Sequence, residues 1–388
     1  MKVLMVLDRE FPPDIRVENE IEALSDAGYE VHIACFTMVK KADYEIINGV
    51  HIHRKKISGL THKTSVGCLK YPFYFNFWRS FVLKLNKEYH FNSIHIHDLP
   101  LAQIGYEIKK KYGIPFFLDL HENWPAYLRI AEHTKSLIGK FLSNNNQWTD
   151  YEIKQCSNAD SVIVVVEEAK KRLVSEGILP DKIIVVSNTL NIKHYSIPKE
   201  SPDKNLFTLT YAGGINKHRG LQYIIKSLKF LKDSSIKIRL IILGDGSYLN
   251  NLKELSLTEG VNDMVDFAGW KQYEEMQKFI GLSNICLIPH EKNDHTDSTI
   301  PHKLFQYMYA GKPVLASDCT PIKRIVEDSK CGLIYKFDNI REIASKIQQI
   351  MNDKEMYNKM SVNGITSVKN KYNWEFDKNR LLSIYRMV

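Results

Sequence analysis

Residues 298–318 read STIPHKLFQYMYAGKPVLASD. A short loop closed by Pro301 runs into a helical stretch whose apolar face is Leu304, Phe305, Tyr307 and Met308. Gly311 stands where a C-cap glycine ends a helix, and the apolar run that follows predicts a short buried strand. Lys303 falls in the first turn, where free amides and the helix dipole already attract anions, so the arrangement suits a phosphate group. The competing reading is an ordinary loop–helix–strand unit with one solvated lysine.

The same alternation of apolar and amphipathic runs extends through the chain, and its 388 residues exceed a single ordinary core. Strands are predicted over 3–7, 31–36, 93–97, 116–120, 161–166 and 183–187, with helices over 15–27, 101–112, 147–157 and 168–176. A polar, irregular stretch at 188–205 reads as a linker. Strands then resume at 207–211, 237–243, 265–268, 285–289 and 314–317, and a last helix lies near 374–386. The expected architecture is α/β: two doubly wound, Rossmann-like domains over 1–187 and 206–370 that face a cleft. Ligands are expected at the carboxyl ends of the strands.

Composition is that of a globular protein, and no apolar run is long enough for a transmembrane helix. The start, MKVLMVLDREF, reads as a first buried strand and not a signal peptide. Six cysteines are scattered without metal-type spacing, which points to free thiols and a reducing cytoplasm. The net charge of +8 is uneven. Residues 51–90 hold eight Lys/Arg against Glu88 alone, with six aromatics in the eight residues from Tyr71 to Trp78. This is either a solvated basic face beside a core helix or a peripheral contact with an anionic membrane surface. No nucleic-acid module accompanies it.

Several strand ends carry candidate chemistry. Residues 211–221, YAGGINKHRGL, form a strand, a loop containing Gly213 and Gly214, and a helix start; glycines let backbone amides approach a phosphate. In the first half, 117–125 (FLDLHENWP) place His121 and Glu122 after a strand, and His97-Asp98 end another. Asp98 is a candidate on the acceptor side or the cap of a helix start before Pro100. Arg16, in the first strand–helix loop, either offers a positive charge on that side or packs at the rim. No Asp-x-Asp occurs, so no metal is expected.

Residues 301–318, PHKLFQYMYAGKPVLASD, resemble the signature of the family 4 glycosyltransferases, retaining enzymes of GT-B fold that use nucleotide-sugar donors. The resemblance runs through YAGGINKHRGL, LGDG (243–246) and VDFAGW (265–270). It implies that Arg219 and Lys303 bind the donor diphosphate with the Gly213–Gly214 amides, that Trp270 and Gly244 border the base, and that the last helix, 371–388, crosses back to the first domain. A core or interdomain position is the other reading of Trp270. His121 is implied to face the donor sugar, with Glu122 beside it. Two positions depart from the pattern: Ser298 and Gln306 replace its glutamates. Gln306 retains an acceptor for ribose hydroxyls, and Asp297 with the amides of Ser298, Thr299 and Ile300 is expected to hold the sugar, unless Asp297 caps the following turn.

The resemblance thus implies a metal-independent transfer, without cofactor, from a UDP-linked sugar to a sugar or lipid-linked hydroxyl acceptor, in bacterial surface-polysaccharide synthesis. Its rivals are a sugar-nucleotide 2-epimerase on the same fold and a catalytically silent binding protein.

Overall fold

The computed structural model describes residues 1–131, 143–198, 200–203, 205–233 and 237–386. The chain divides into two compact units, Met1–Asn188 with Glu375–Val388, and Thr189–Trp374. The segment read as a linker belongs structurally to the second unit. Leu190 forms a bridge with Asn373, and Tyr195 is buried with its ring against Tyr273 and Tyr309.

The first unit is built on β1 (Lys2–Leu7), β2 (Glu30–Thr37), β3 (Tyr44–Ile47), β4 (Val50–Lys56), β5 (Ser93–His97), β6 (Phe116–Leu120), β7 (Ser161–Val164) and β8 (Ile183–Val185). Their order is β3-β4-β2-β1-β5-β6-β7-β8, parallel except where β3 runs against β4. Strands covered by helices on both faces must be apolar throughout, and β1, β5 and β6 are buried along almost their whole length. The first helix, Ile15–Asp26, starts where Asp14 accepts the Val17 amide at 3.2 Å. The last helix, Trp374–Arg386, lies in this unit from Glu375 on. Tyr385 is buried there, its hydroxyl 2.6 Å from His95 Nδ1 and its ring 4.7 Å from that of Phe117.

The basic, aromatic segment is largely core. Residues 51–56 are the interior strand β4, and Phe73–Tyr89 is a helix burying Tyr74, Phe75, Trp78, Phe81, Val82 and Leu85 at helical spacing. Arg54 is buried against Glu45 and the Phe11 carbonyl, and Arg79 pairs with Glu107. Exposed lysines remain at 56, 63, 84 and 87, with Leu60, Phe73 and Tyr71 protruding.

The second unit carries β9 (Leu206–Ala212), β10 (Lys237–Leu243), β11 (Val265–Gly269), β12 (Ile285–Ile288), β13 (Val314–Ser317) and β14 (Gly332–Tyr335), ordered β11-β10-β9-β12-β13-β14 and all parallel. The stretch that decides the fold forms the helix Lys303–Tyr309 and strand β13, with Gly311 at φ 68° just past the helix end. Leu304, Phe305, Tyr307 and Met308 are fully buried, and the Tyr307 hydroxyl accepts the Ala212 amide at 3.0 Å. This ties the helix to the end of β9, next to the loop that follows it.

Candidate functional site

In the second unit the loops after β9 and β10 lie backbone against backbone. The Gly213 amide donates to the Leu243 carbonyl at 2.9 Å. Gly244 has φ +138°, and a Cβ there would stand 2.0 Å from the Gly213 carbonyl oxygen, so only glycine fits. Lys303 reaches into this corner. Its Nζ donates to the Ala212 carbonyl at 2.9 Å and stands 3.7 Å over the Tyr211 ring.

Arg219 approaches from the turn before the helix Leu221–Ser227, its Nη1 2.5 Å from His290 Nε2. A guanidinium only donates, so His290 accepts through Nε2 and carries its proton on Nδ1. That buried Nδ1 and Arg219 Nε have no acceptor among the described residues. His218 and His295 complete the cluster, their rings edge to face. Neither Arg219 nor Lys303 pairs with a carboxylate among the described residues. The nearby Glu291 is held by the Gln222 amide at 2.7 Å and the Tyr223 hydroxyl at 3.3 Å.

The cluster therefore repels protons. Burial, then Arg219, pushes the Lys303 ammonium well below its usual range. Burial, then Arg219, His295 and Lys303, holds His218 down at about 3, and His290 is lowered well below its ordinary value for the same reasons. Donors with orphaned hydrogens beside stacked glycine loops form a receptor for a multiply charged anion. His218, His290 and His295 escaped the sequence reading. His290 lies two residues past β12, just as His97 ends β5 and His121 follows β6, and that strand-end position was the available signal.

The expected sugar-side residues are partly occupied by the protein itself. Asp297 Oδ1 accepts the Thr320 amide at 2.6 Å, so it serves the distant helix Thr320–Ser329 and not the turn that follows it. The Ser298 hydroxyl donates to the Asp294 carbonyl at 2.8 Å. Thr299 and Ile300 continue that loop, and Gln306 is buried on the helix behind it. Trp270 is 71% exposed at the end of β11, which removes the core reading of that residue. The Gly269 carbonyl beside it accepts the Gly244 amide at 2.8 Å, so the backbone before Trp270 adjoins the glycine loop.

In the first unit the carboxyl ends of β5 and β6 bring His97, Asp98, Asp119 and His121 together. Asp119 Oδ2 lies 2.7 Å from His121 Nε2 and 3.3 Å from His97 Nδ1. Asp98 Oδ2 lies 3.5 Å from His121 Nδ1 and accepts Arg9 Nη2 at 3.0 Å. Asp98 makes no side-chain cap to the turn after it, so the helix-start reading of its side chain falls; its φ of +65° is a strained conformation for a non-glycine residue. Glu122 lies next to His121, and its charge acts on Arg9.

Arg16 is a correction. It is spent inside the unit and offers nothing to an acceptor. Nε and Nη2 hold both oxygens of Asp119 at 2.9 and 2.7 Å, Nη1 donates to Val186 and Asn188, and Nη2 also faces Glu20 at 3.1 Å. The result is a ladder of alternating charge. Arg16 and the histidines hold the Asp119 carboxyl well below the usual range despite burial. Although burial opposes it, Asp98 and Asp119 raise His121 to about 9, so its ring is an imidazolium at neutral pH.

Two family descriptions together match residues 15–367, Glycosyltransferase Family 4 over residues 15–194 and Glycosyl transferases group 1 over residues 194–367. The chain belongs to the family 4 glycosyltransferases. Among relatives of this glycosyltransferase, the alpha-D-kanosaminyltransferase of Streptomyces kanamyceticus is 19% identical over 73% of each chain. The capsular polysaccharide biosynthesis glycosyltransferase CapM of Staphylococcus aureus is 21% identical over 58% of this chain and 61% of its own. The Anabaena protein Alr3699/HepE, solved in complex with UDP, superposes with a TM-score of 0.75 at 12% identity over 100% of both chains. That likeness makes the fold of this glycosyltransferase GT-B.

Proposed function

We propose that the chain transfers a sugar, with retention, from a UDP-sugar to a hydroxyl acceptor in the assembly of a surface polysaccharide. The observation that carries this reading is the cluster of Arg219, Lys303 and buried histidines without a carboxylate, set against the glycine loops of the second unit. Two fixed cations and loop amides neutralise a diphosphate leaving group without a metal. Trp270 offers an exposed aromatic face for the base, and Gln306 an acceptor for the ribose. The UDP bound by the Anabaena neighbour and the capsule role in the name of the Staphylococcus relative support donor and setting.

In this transfer the anomeric carbon–oxygen bond breaks with its electron pair going to the diphosphate. The acceptor oxygen bonds to the same face of that carbon, and its proton passes to the leaving phosphate. Arg219 and Lys303 stabilise the charge as it develops. In the first unit His121, held as an imidazolium between Asp119 and Asp98, adds a fixed positive charge at the carboxyl ends of β5 and β6.

Thermal denaturation with UDP, GDP or ADP, each with and without EDTA, tests the donor. A ligand at a hundred times its dissociation constant adds about 2.7 kcal/mol of stability. The expected result is a shift with UDP alone that EDTA leaves unchanged; no shift with any of the three sinks the reading.

We also propose that the exposed face of the helices Gly59–Lys63 and Phe73–Tyr89 rests on an anionic membrane, where lipid-linked acceptors reside. Leu60 and Phe73, 81% and 61% exposed, would enter the interface, with Lys56, Lys63 and Lys84 near the headgroups. The chain should co-sediment with phosphatidylglycerol vesicles and lose most binding on joint substitution Leu60→Ser and Phe73→Ser. Equal recovery of both proteins with the vesicles would refute it.

A further inference from the structure

At the other end of the first unit's sheet from His97 and His121, β2 and β4 bring three side chains together. His32 and His51 are direct partners in the parallel β2–β4 register, and their rings stack 4.2 Å apart at 10°. Glu30 begins β2, and its Oε1 lies 2.9 Å from His32 Nε2. One ligand atom from each of Glu30, His32 and His51 lies within 4.8 Å of the others.

We propose that Glu30, His32 and His51 bind a divalent transition-metal ion of the zinc type, clipping the outer strands of the sheet together. Zinc sites with three protein ligands use imidazole nitrogen and carboxylate oxygen at about 2.0–2.2 Å, leaving one position to water. Small side-chain rotations bring these three groups to that distance. Metal-bound histidines characteristically engage a second partner through the other ring nitrogen, which fixes the ring's orientation. Both histidines here have one. His32 Nδ1 lies 2.9 Å from His53 Nε2, and His51 Nδ1 lies 2.8 Å from the Tyr44 hydroxyl.

On binding, the His32 proton moves from Nε2 to Nδ1 and donates to His53, whose own proton shifts to its far nitrogen; none need leave. Glu30 is 42% exposed, giving the ion an entry path, and the Lys2 ammonium 3.4 Å away is the group it displaces.

The untagged chain, stripped with a chelator and titrated with Co2+, tests the site. One equivalent should bind and give the visible bands of four- or five-coordinate cobalt, and Zn2+ should remove them. His51→Ala, at a half-exposed position, should abolish these bands while circular dichroism is unchanged, and Glu30→Gln should do the same. Tyr44→Phe should weaken binding by about tenfold or more. Absence of stoichiometric binding, or binding that survives His51→Ala and so resides elsewhere, for instance near Asp119, overturns the proposal.

Discussion

Lys303→Met is expected to abolish nucleotide-induced stabilisation while raising the melting temperature of the free chain. The two effects share a cause. Without a donor, the Lys303 ammonium sits partly covered beside Arg219 with no counter-charge among the described residues, and its proton affinity is well below normal. A lysine whose folded pKa is depressed costs stability wherever the unfolded chain keeps it charged, that is, below about pH 10. A methionine of similar length keeps the contact with the Tyr211 ring and removes that cost. A bound diphosphate reverses the sign by supplying the missing anion. Losing a preorganised donor to a developing oxyanion generally costs about 10²–10³ in rate. Transfer measured as kcat/KM should therefore fall by that factor, whereas Arg219→Lys, which keeps a charge but not the fork, should fall less. A Lys303→Met chain that melts lower than the parent and still responds to UDP would contradict this account.

The second large effect is expected at Asp119, through a residue that touches no substrate. Asp119→Asn leaves Arg16 and His121 without their shared carboxylate, and breaking a buried charge pair from one side costs about 3–5 kcal/mol. The pH dependence identifies the mechanism. His121 is raised from 6.5 to about 9, so its contribution is complete below about pH 6.5 and lost as pH rises through 9; a shift of this size is worth about 3 kcal/mol. Glu20, raised to about 8, and Asp8, raised to about 7 chiefly by burial, act with the same sign at lower pH. The parent should therefore weaken steadily from neutral pH to about pH 9. In Asp119→Asn the slope above pH 7 should flatten, and the alkaline limb of activity should move down toward the ordinary histidine value. An unchanged alkaline limb would show that Asp119 only supports the fold.

Many of the parallel strands were legible as largely apolar runs, and β5, β6, β10 and β13 begin and end as the residues suggest, whereas the parallel strands β4 and β14 were not anticipated. The helix Lys303–Tyr309 was equally plain, with its four apolar residues and its glycine stop. The segment 51–90 was harder because composition and periodicity disagree there. Tyr74, Trp78, Phe81 and Leu85 recur at helical spacing and go inward, yet their abundance among lysines suggested a lipid surface. Strand β4 is disguised in another way, since His53 and Arg54 are polar and still buried through partners on β2, β3 and the first loop. Arg16 was illegible for a different reason: its partner Asp119 is 103 residues away, and no local pattern announces such a pair. Arg219 and Lys303 were legible as charges, but their lack of a carboxylate partner among the described residues is a property of the folded arrangement alone.

The division of the chain also dictates the order in which it can be finished. The first unit is assembled from two separated stretches, because residues from Glu375 onward complete it, whereas Thr189–Trp374 is one uninterrupted length. On the ribosome the second unit can therefore close while the first still lacks its final helix. Until Tyr385 arrives, His95 has no hydroxyl partner and Phe117 lacks an aromatic neighbour. A chain that stops short of residue 375 would thus have its second unit whole and its first unit open along the face that Tyr385 covers.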